Sequence, residues 1–161
     1  MYLMIREHVK LAKRGCEMED QELIKAAIEA REYAYAPYSK FKVGAALLGK
    51  SGKMYTGCNI ENAAYGPSNC AERTAFFKAV SEGEHAFDAI AIIGGYDGQV
   101  DGYAFPCGVC RQVMMEFCHP KSFEIITAKS EQDYKKYSLE QLLPEGFGPD
   151  HLSTESISIL K

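Results

Sequence analysis

The run Ala89-Ile90-Ala91-Ile92-Ile93 constrains the fold more than any other stretch of the chain. An unbroken apolar run of this length marks a strand buried on both faces, because a strand with one wet face alternates apolar and polar residues. Such a strand needs layers above and below it, and its neighbours in sequence supply helices. One is predicted from about Cys70 to Glu82, ended by Gly83. A second runs from Cys107 to Cys118, introduced by Pro106 and closed by Pro120. Phe123 to Ala128 then predicts a further strand. Strand–helix–strand order implies a right-handed crossover and a parallel strand pair.

Upstream, Asp20 is positioned to cap a helix from Gln21 to about Tyr35, whose apolar residues Leu23, Ile24, Ala27 and Ile28 recur at helical spacing; Pro37 stops it. Phe41 to Leu48 and Lys53 to Asn59 are strand-like and flank the turn Gly49-Lys50-Ser51-Gly52, which predicts a hairpin. A weak fifth strand, Tyr134 to Ser138, and a short helix near Leu139 to Leu143 follow. Together these predict an α/β fold, a three-layer α/β/α sandwich on a mixed five-stranded sheet. A length of 161 residues fits one domain with one core, spanning 1–161. Within it, Met1 to about Met18 form an N-terminal extension expected to be helical, and Ser153 to Lys161 a tail.

Charge and cysteine usage narrow the function. The formal net charge of -4 gives no phosphate-neutralising surface by default, so nucleic acid is a poor partner. The densest basic stretch, Lys10 to Arg14, is short and reads as a solvated helix face. No window approaches the roughly 18 apolar residues of a membrane helix. The start Met1-Tyr2-Leu3-Met4-Ile5 stops at Arg6-Glu7-His8, without the basic and longer apolar regions of a secretory signal. A cytoplasmic location is expected, and there thiols stay reduced. Six cysteines therefore point to metal or catalysis before disulfides.

Two fragments carry the chemistry: Cys70-Ala71-Glu72 and Pro106-Cys107-Gly108-Val109-Cys110. Cys107 and Cys110 are three apart in the first turn of a helix, so both sulfurs can share one face. Cys70 lies at another helix start. Unpaired N–H groups and the partial positive charge at helix N-termini favour thiolate over thiol. Three thiolates would fix three tetrahedral positions around Zn2+, and a fourth left to water is the pattern of a catalytic site. Residues two apart on a regular helix point away from each other, so Cys70 must sit at the cap for Glu72 to turn toward the metal as general acid/base. Arg73 or Arg111 could offset the charge of three thiolates by hydrogen bonding to sulfur. Cys-x-x-C alone is weak. Preceded by Pro and paired with an upstream Cys-x-Glu, it matches a signature described for zinc deaminases.

These residues resemble the cytidine deaminase family, particularly its small homotetrameric members, from about Leu23 to Leu152. The specific segments are Phe41 to Ala46, Cys58 to Asn62, Asn69 to Ala75, Pro106 to Gln112 and Leu142 to Pro149. The resemblance implies zinc-dependent hydrolytic deamination of cytidine or deoxycytidine to uridine or deoxyuridine, in pyrimidine salvage. It implies that Asn59 and Glu61 hydrogen-bond the sugar hydroxyls, that Phe41 packs against the nucleoside, and that the Ala71 N–H meets the pyrimidine carbonyl. Phe147 would come from a neighbouring subunit to stack on the base, and Arg73 would contact ligand sulfur. Gly66-Pro67-Ser68 departs from the family's usual approach to the ligand cysteine. Cys16, Cys58 and Cys118 read as buried or incidental thiols.

Other readings stay open from sequence. A nucleoside antibiotic of the blasticidin type would keep the chemistry and change the substrate. Polynucleotide editing needs a basic, aromatic channel, against which the acidic charge counts. A closed structural zinc site would recruit Cys58, Cys118, His85 or His119 as fourth ligand and leave Glu72 without a purpose. A redox dithiol at Cys107 and Cys110 lacks thioredoxin-like context.

Overall fold

The computed structural model describes residues 19–96 and 98–152. The N-terminal extension with its expected helix, Cys16 and the C-terminal tail lie outside the described residues. Helix α1 occupies 19–31. It is followed by β1 (Phe41–Gly49), β2 (Met54–Cys58), α2 (Ala71–Ser81), β3 (Phe87–Tyr96), α3 (Gly108–Phe117), β4 (Glu124–Ala128), β5 (Tyr134–Ser138) and the single turn α4 (Leu139–Leu142). The five strands form one sheet in the order β2-β1-β3-β4-β5. β1 runs antiparallel to both β2 and β3, β3 and β4 are parallel, and β5 returns antiparallel to β4.

Strand alternation sends successive side chains to opposite faces. Ala45, Leu47, Ile90, Ile92 and Ile125 pack under α2 and α3, whereas Ala46, Ala89, Ala91, Ile93 and Ile126 pack under α1. The central strand is therefore covered on both sides, and the three layers are α1, the sheet, and α2 with α3. The α1 face is built largely from alanine, and β1 contributes Gly44, where a Cβ would collide with the carbonyl of Ala27 and the backbone of Arg31. The opposite face carries bulk: Phe76 meets Phe87 edge-on at 5.0 Å between ring centroids and Phe123 at 6.2 Å.

The structure corrects the first helix at both ends. Asp20 lies inside α1 and does not cap it. It is 6% exposed, and its carboxylate stands 3.0 Å from the Lys136 ammonium on β5, which also reaches Glu124 at 2.6 Å. At the other end α1 stops at residue 31, short of Tyr35 and Pro37. Arg31 there donates to the carbonyl oxygens of Lys42, Gly95 and Tyr96. Tyr35 has left the helix to pair with the chain beyond β2: its N–H donates to the Asn59 carbonyl and its own carbonyl accepts from Glu61 N–H. The central strand is longer than its apolar core. Gly94 and Gly95 belong to it, paired with Val43 and Lys42 of β1, where the glycine-rich composition predicts a loop.

Candidate functional site

Two helix starts meet above the carboxyl end of the central strand. Cys70 caps α2 in an extended conformation (φ -77°, ψ 157°), and Cys107 caps α3 in a similar one (φ -66°, ψ 166°). The Cys70 side chain makes no capping hydrogen bond, whereas that of Cys107 turns back over the first turn of α3. The Cys107 sulfur accepts from the Cys110 N–H at 3.5 Å, so the Pro-Cys-x-x-Cys turn folds both thiols onto one side. The Sγ atoms of Cys107 and Cys110 are 3.5 Å apart, those of Cys70 and Cys107 3.8 Å, and all three lie within 4.8 Å of one another.

These spacings fit a zinc ion. Zn–S bonds of about 2.3 Å in a tetrahedron place sulfurs about 3.8 Å apart. The donor chemistry fits as well. The Cys70 thiol is held well below the usual thiol range, first by a hydrogen bond from Cys110 and then by the Arg73 guanidinium, while Cys110 is pushed up by the same Cys70 contact and by burial. Neighbouring thiols cannot all ionise against one another, and a divalent cation is what lets them. Among the described residues, none of Cys58, Cys118, His85 and His119 joins the cluster.

Glu72 follows Cys70 into the first turn of α2 and is 4% exposed. Burial pushes its carboxyl up to about 7, with the neighbouring Cys70 sulfur acting in the same direction. It is a buried carboxyl beside a metal-ligand cluster, poised to exchange protons near neutrality. Arg73 Nη2 stands 3.5 Å from Cys70 Sγ, as the sequence suggests for one of the two arginines. Arg111 does not do this. Its guanidinium donates to the carbonyl oxygens of Pro106 at 2.8 Å and Leu142 at 2.7 Å, bracing the loop before α3 against α4. Beneath α2, Gly57 of β2 lies against the helix backbone: a Cβ there would run into Ala71 O and Ala75 N.

A cavity of about 390 Å³ opens onto this centre. Its lining falls into two groups: Cys70, Ala71, Glu72 and Cys107 at the thiol cluster, termed the floor, and Phe41, Asn59 and Glu61 from the start of β1 and the chain after β2, termed the mouth. The mouth residues are already engaged. Asn59 Oδ1 accepts from Val43 N–H at 2.8 Å, and its Nδ2 donates to Phe41 O at 2.9 Å. Glu61 Oε2 accepts from the N–H groups of Tyr38 and Ser39, and hydrogen bonds from Ser39 and this turn keep its carboxyl below the ordinary carboxylate range. Phe41 rests edge-on against Tyr96 at 5.2 Å. Phe147 does not line the cavity. It is 58% exposed, stacked on His151, with its carbonyl accepting from Gln112. Phe105 also lines the wall, and the residue-by-residue reading of the sequence passes it over. Its position two residues before Cys107 is the signal that could have found it.

A sandwich with a three-cysteine cluster at two helix starts, beside a buried carboxyl, defines the zinc-dependent deaminase class. The family model for the cytidine and deoxycytidylate deaminase zinc-binding region matches residues 17–125. A cytidine deaminase from Sporosarcina psychrophila is 48% identical over 136 residues, 84% of this chain and 96% of that protein. One from Halalkalibacterium halodurans is also 48% identical, across 84% and 99%. The crystal structure of cytidine deaminase from Burkholderia pseudomallei superposes with a TM-score of 0.71 at 49% identity, covering 78% of this chain and 97% of that one. That from Mycobacterium tuberculosis gives 0.67 at 38% identity, over 79% and 95%. The chain belongs to the cytidine deaminase family.

Proposed function

We propose that this chain, as one deaminase domain, hydrolyses cytidine and deoxycytidine to uridine and deoxyuridine with release of ammonia. The observation that carries the proposal is the buried Glu72 carboxyl at the floor of a cavity whose other floor residues include two thiols of a zinc-compatible cluster. Cys70, Cys107 and Cys110 would hold the zinc, and Arg73 would temper the charge on the Cys70 sulfur. When bound, zinc lowers the pKa of water to about 7 and so supplies a nucleophile at neutral pH.

Glu72 takes a proton from the attacking water and delivers it to ring N3 as C4 becomes tetrahedral. It then takes the proton of the new C4 hydroxyl and passes it to the exocyclic amine, and the C4–N bond breaks as the C4 carbonyl forms and ammonia leaves. A carboxyl that alternates between base and acid works best with a pKa near the working pH. The Ala71 N–H, in the first turn of α2 where no intrahelical acceptor exists, meets the pyrimidine carbonyl. Asn59 and Glu61 take the sugar hydroxyls with the polar capacity their backbone contacts leave over, and Phe41 packs on the nucleoside. Phe147 acts in trans, projecting from one subunit of a homotetramer onto the base held by another. Its exposure and its place outside its own cavity support that role.

The family model spans both nucleoside and nucleotide deaminases, and the mouth of the cavity favours the nucleoside. Among the described residues, those lining the cavity include no lysine or arginine, and the charged group at the mouth is the Glu61 carboxylate. A 5′-phosphate would meet the like charge of Glu61 there and no cation of the cavity lining. No helix of the described residues is long and apolar enough to cross a membrane, which suits a cytoplasmic enzyme of pyrimidine salvage. The test is ultraviolet monitoring of cytidine and deoxycytidine conversion, with zinc measured on the same sample. Glu72→Ala should keep its zinc and lose turnover by about 100- to 10,000-fold. Wild-type protein that holds zinc and converts neither nucleoside would sink the proposal.

A further inference from the structure

Phe105 lines the cavity on the α3 side, two residues before Cys107, and no role proposed above uses it. Its ring is braced from outside the cavity by Tyr137 of β5, with centroids 5.5 Å apart and planes at 60°. Tyr137 pairs with Ile125, which packs on the α2 and α3 face, so this support comes from the same side of the sheet as the site. Phe105 is nonetheless 45% exposed. A ring backed on one side and open on the other forms a firm wall for whatever lies against it.

The chemistry of the floor decides which edge of a pyrimidine that is. C4 must sit at the thiol cluster, N3 at Glu72 and the C2 carbonyl at the Ala71 N–H, and both of these partners belong to α2. N3 and C2 form one edge of the ring, and C5 and C6 form the opposite edge across the line from C4 to N1. With the first edge turned toward α2, the second faces the segment leading into α3, where Phe105 stands. We propose that Phe105, held by Tyr137, is the specificity-determining residue that limits substituents at C5 of the pyrimidine. The inference rests on the deaminase reading above.

The experiment compares kcat/KM for cytidine and 5-methylcytidine in zinc-loaded wild type, Phe105→Ala, Phe105→Leu and Tyr137→Ala. The ratio of the two values cancels the fraction of folded enzyme, so a variant that is merely less stable leaves it unchanged. Phe105→Ala should raise the 5-methylcytidine to cytidine ratio by at least about tenfold, within the range a single misfitting methyl group produces. Phe105→Leu should move it the same way by less and covers the case in which the alanine variant does not fold. Tyr137→Ala should also raise it, because the wall loses its brace. Ratios within about twofold of wild type in the Phe105 variants, with cytidine still turned over, overturn this inference alone. Zinc-loaded wild type that converts neither nucleoside overturns the deaminase reading and this inference with it.

Discussion

The floor and the mouth of the cavity are built on different principles. On the floor, side chains at two helix starts converge on one another: Cys70 and Cys107 line the cavity, the buried Cys110 completes their sulfur cluster, and Glu72 is buried beside them. At the mouth, Asn59 and Glu61 direct polar atoms at the protein's own backbone, fixing Val43, Phe41, Tyr38 and Ser39 in place before any ligand arrives. The floor is a reaction centre whose three sulfurs are spaced to share one cation. The mouth is a self-supporting frame. Substitutions on the floor should therefore act on turnover and metal, and those at the mouth on binding and folding.

Loss of a cluster thiol is the largest expected effect. Cys110→Ala should release zinc and reduce turnover beyond the roughly 10,000-fold that loss of a general acid/base alone produces. Metal analysis beside the cytidine assay checks it, and a variant with full zinc would show that Cys110 is only a buried thiol. Next in size is Gly57→Ala, which touches no sulfur. The added methyl meets Ala71 O and Ala75 N, so α2 must shift and carry Cys70 and Glu72 with it. About 3 kcal/mol of stability should be lost, together with weaker zinc binding. Stability loss at unchanged zinc affinity would mean that the floor is less dependent on its scaffold than the packing implies.

Asn59→Ala sharpens the contrast from the other side. It leaves Val43 N–H and Phe41 O without their partner, which should cost about 2 kcal/mol. KM for cytidine should rise more than kcat falls, because the proposed sugar contact goes and the reaction centre stays. Steady-state kinetics and urea unfolding measure both. A fall in kcat at constant KM would erase the distinction between mouth and floor.

The floor was legible in the sequence because its geometry is local. Cys-x-x-Cys after Pro and Cys-x-Glu at a helix start each fix their spacing within one turn, and the apolar run at Ala89 fixes the strand that both helices cover. The mouth was legible only through family resemblance. Asn59 reaches residues 16 and 18 positions away, and a polar residue after a strand carries no sign of which backbone group it will bond. Asp20 failed as a cap for the same reason: its partner, Lys136, lies 116 residues distant. Arg31 ends α1 through carbonyls of β1 and β3, which local propensity cannot foresee. Gly94 and Gly95 look like loop but lie in a strand, because β1 supplies the pairing and composition does not.

The smallest expected effect concerns where the frame stores strain. The described residues outside glycine with left-handed backbone are Lys40 (φ 60°) and Glu145 (φ 53°), and they stand one and two residues before Phe41 and Phe147, the aromatics proposed to meet the substrate. A Cβ in that conformation costs about 1–2 kcal/mol. Glycine removes the clash but gives the unfolded chain more freedom, worth about 0.5–1 kcal/mol in the opposite sense. Glu145→Gly should therefore stabilise the fold by about 0.5 kcal/mol, seen as a higher urea midpoint at unchanged m-value. KM should hold, since Gln112 still anchors the Phe147 carbonyl at 2.9 Å. A raised midpoint accompanied by a raised KM would show that the turn's rigidity aims Phe147. In that case the strain at Glu145 is part of how the mouth recognises its ligand, and the frame is less self-sufficient than its hydrogen bonds suggest.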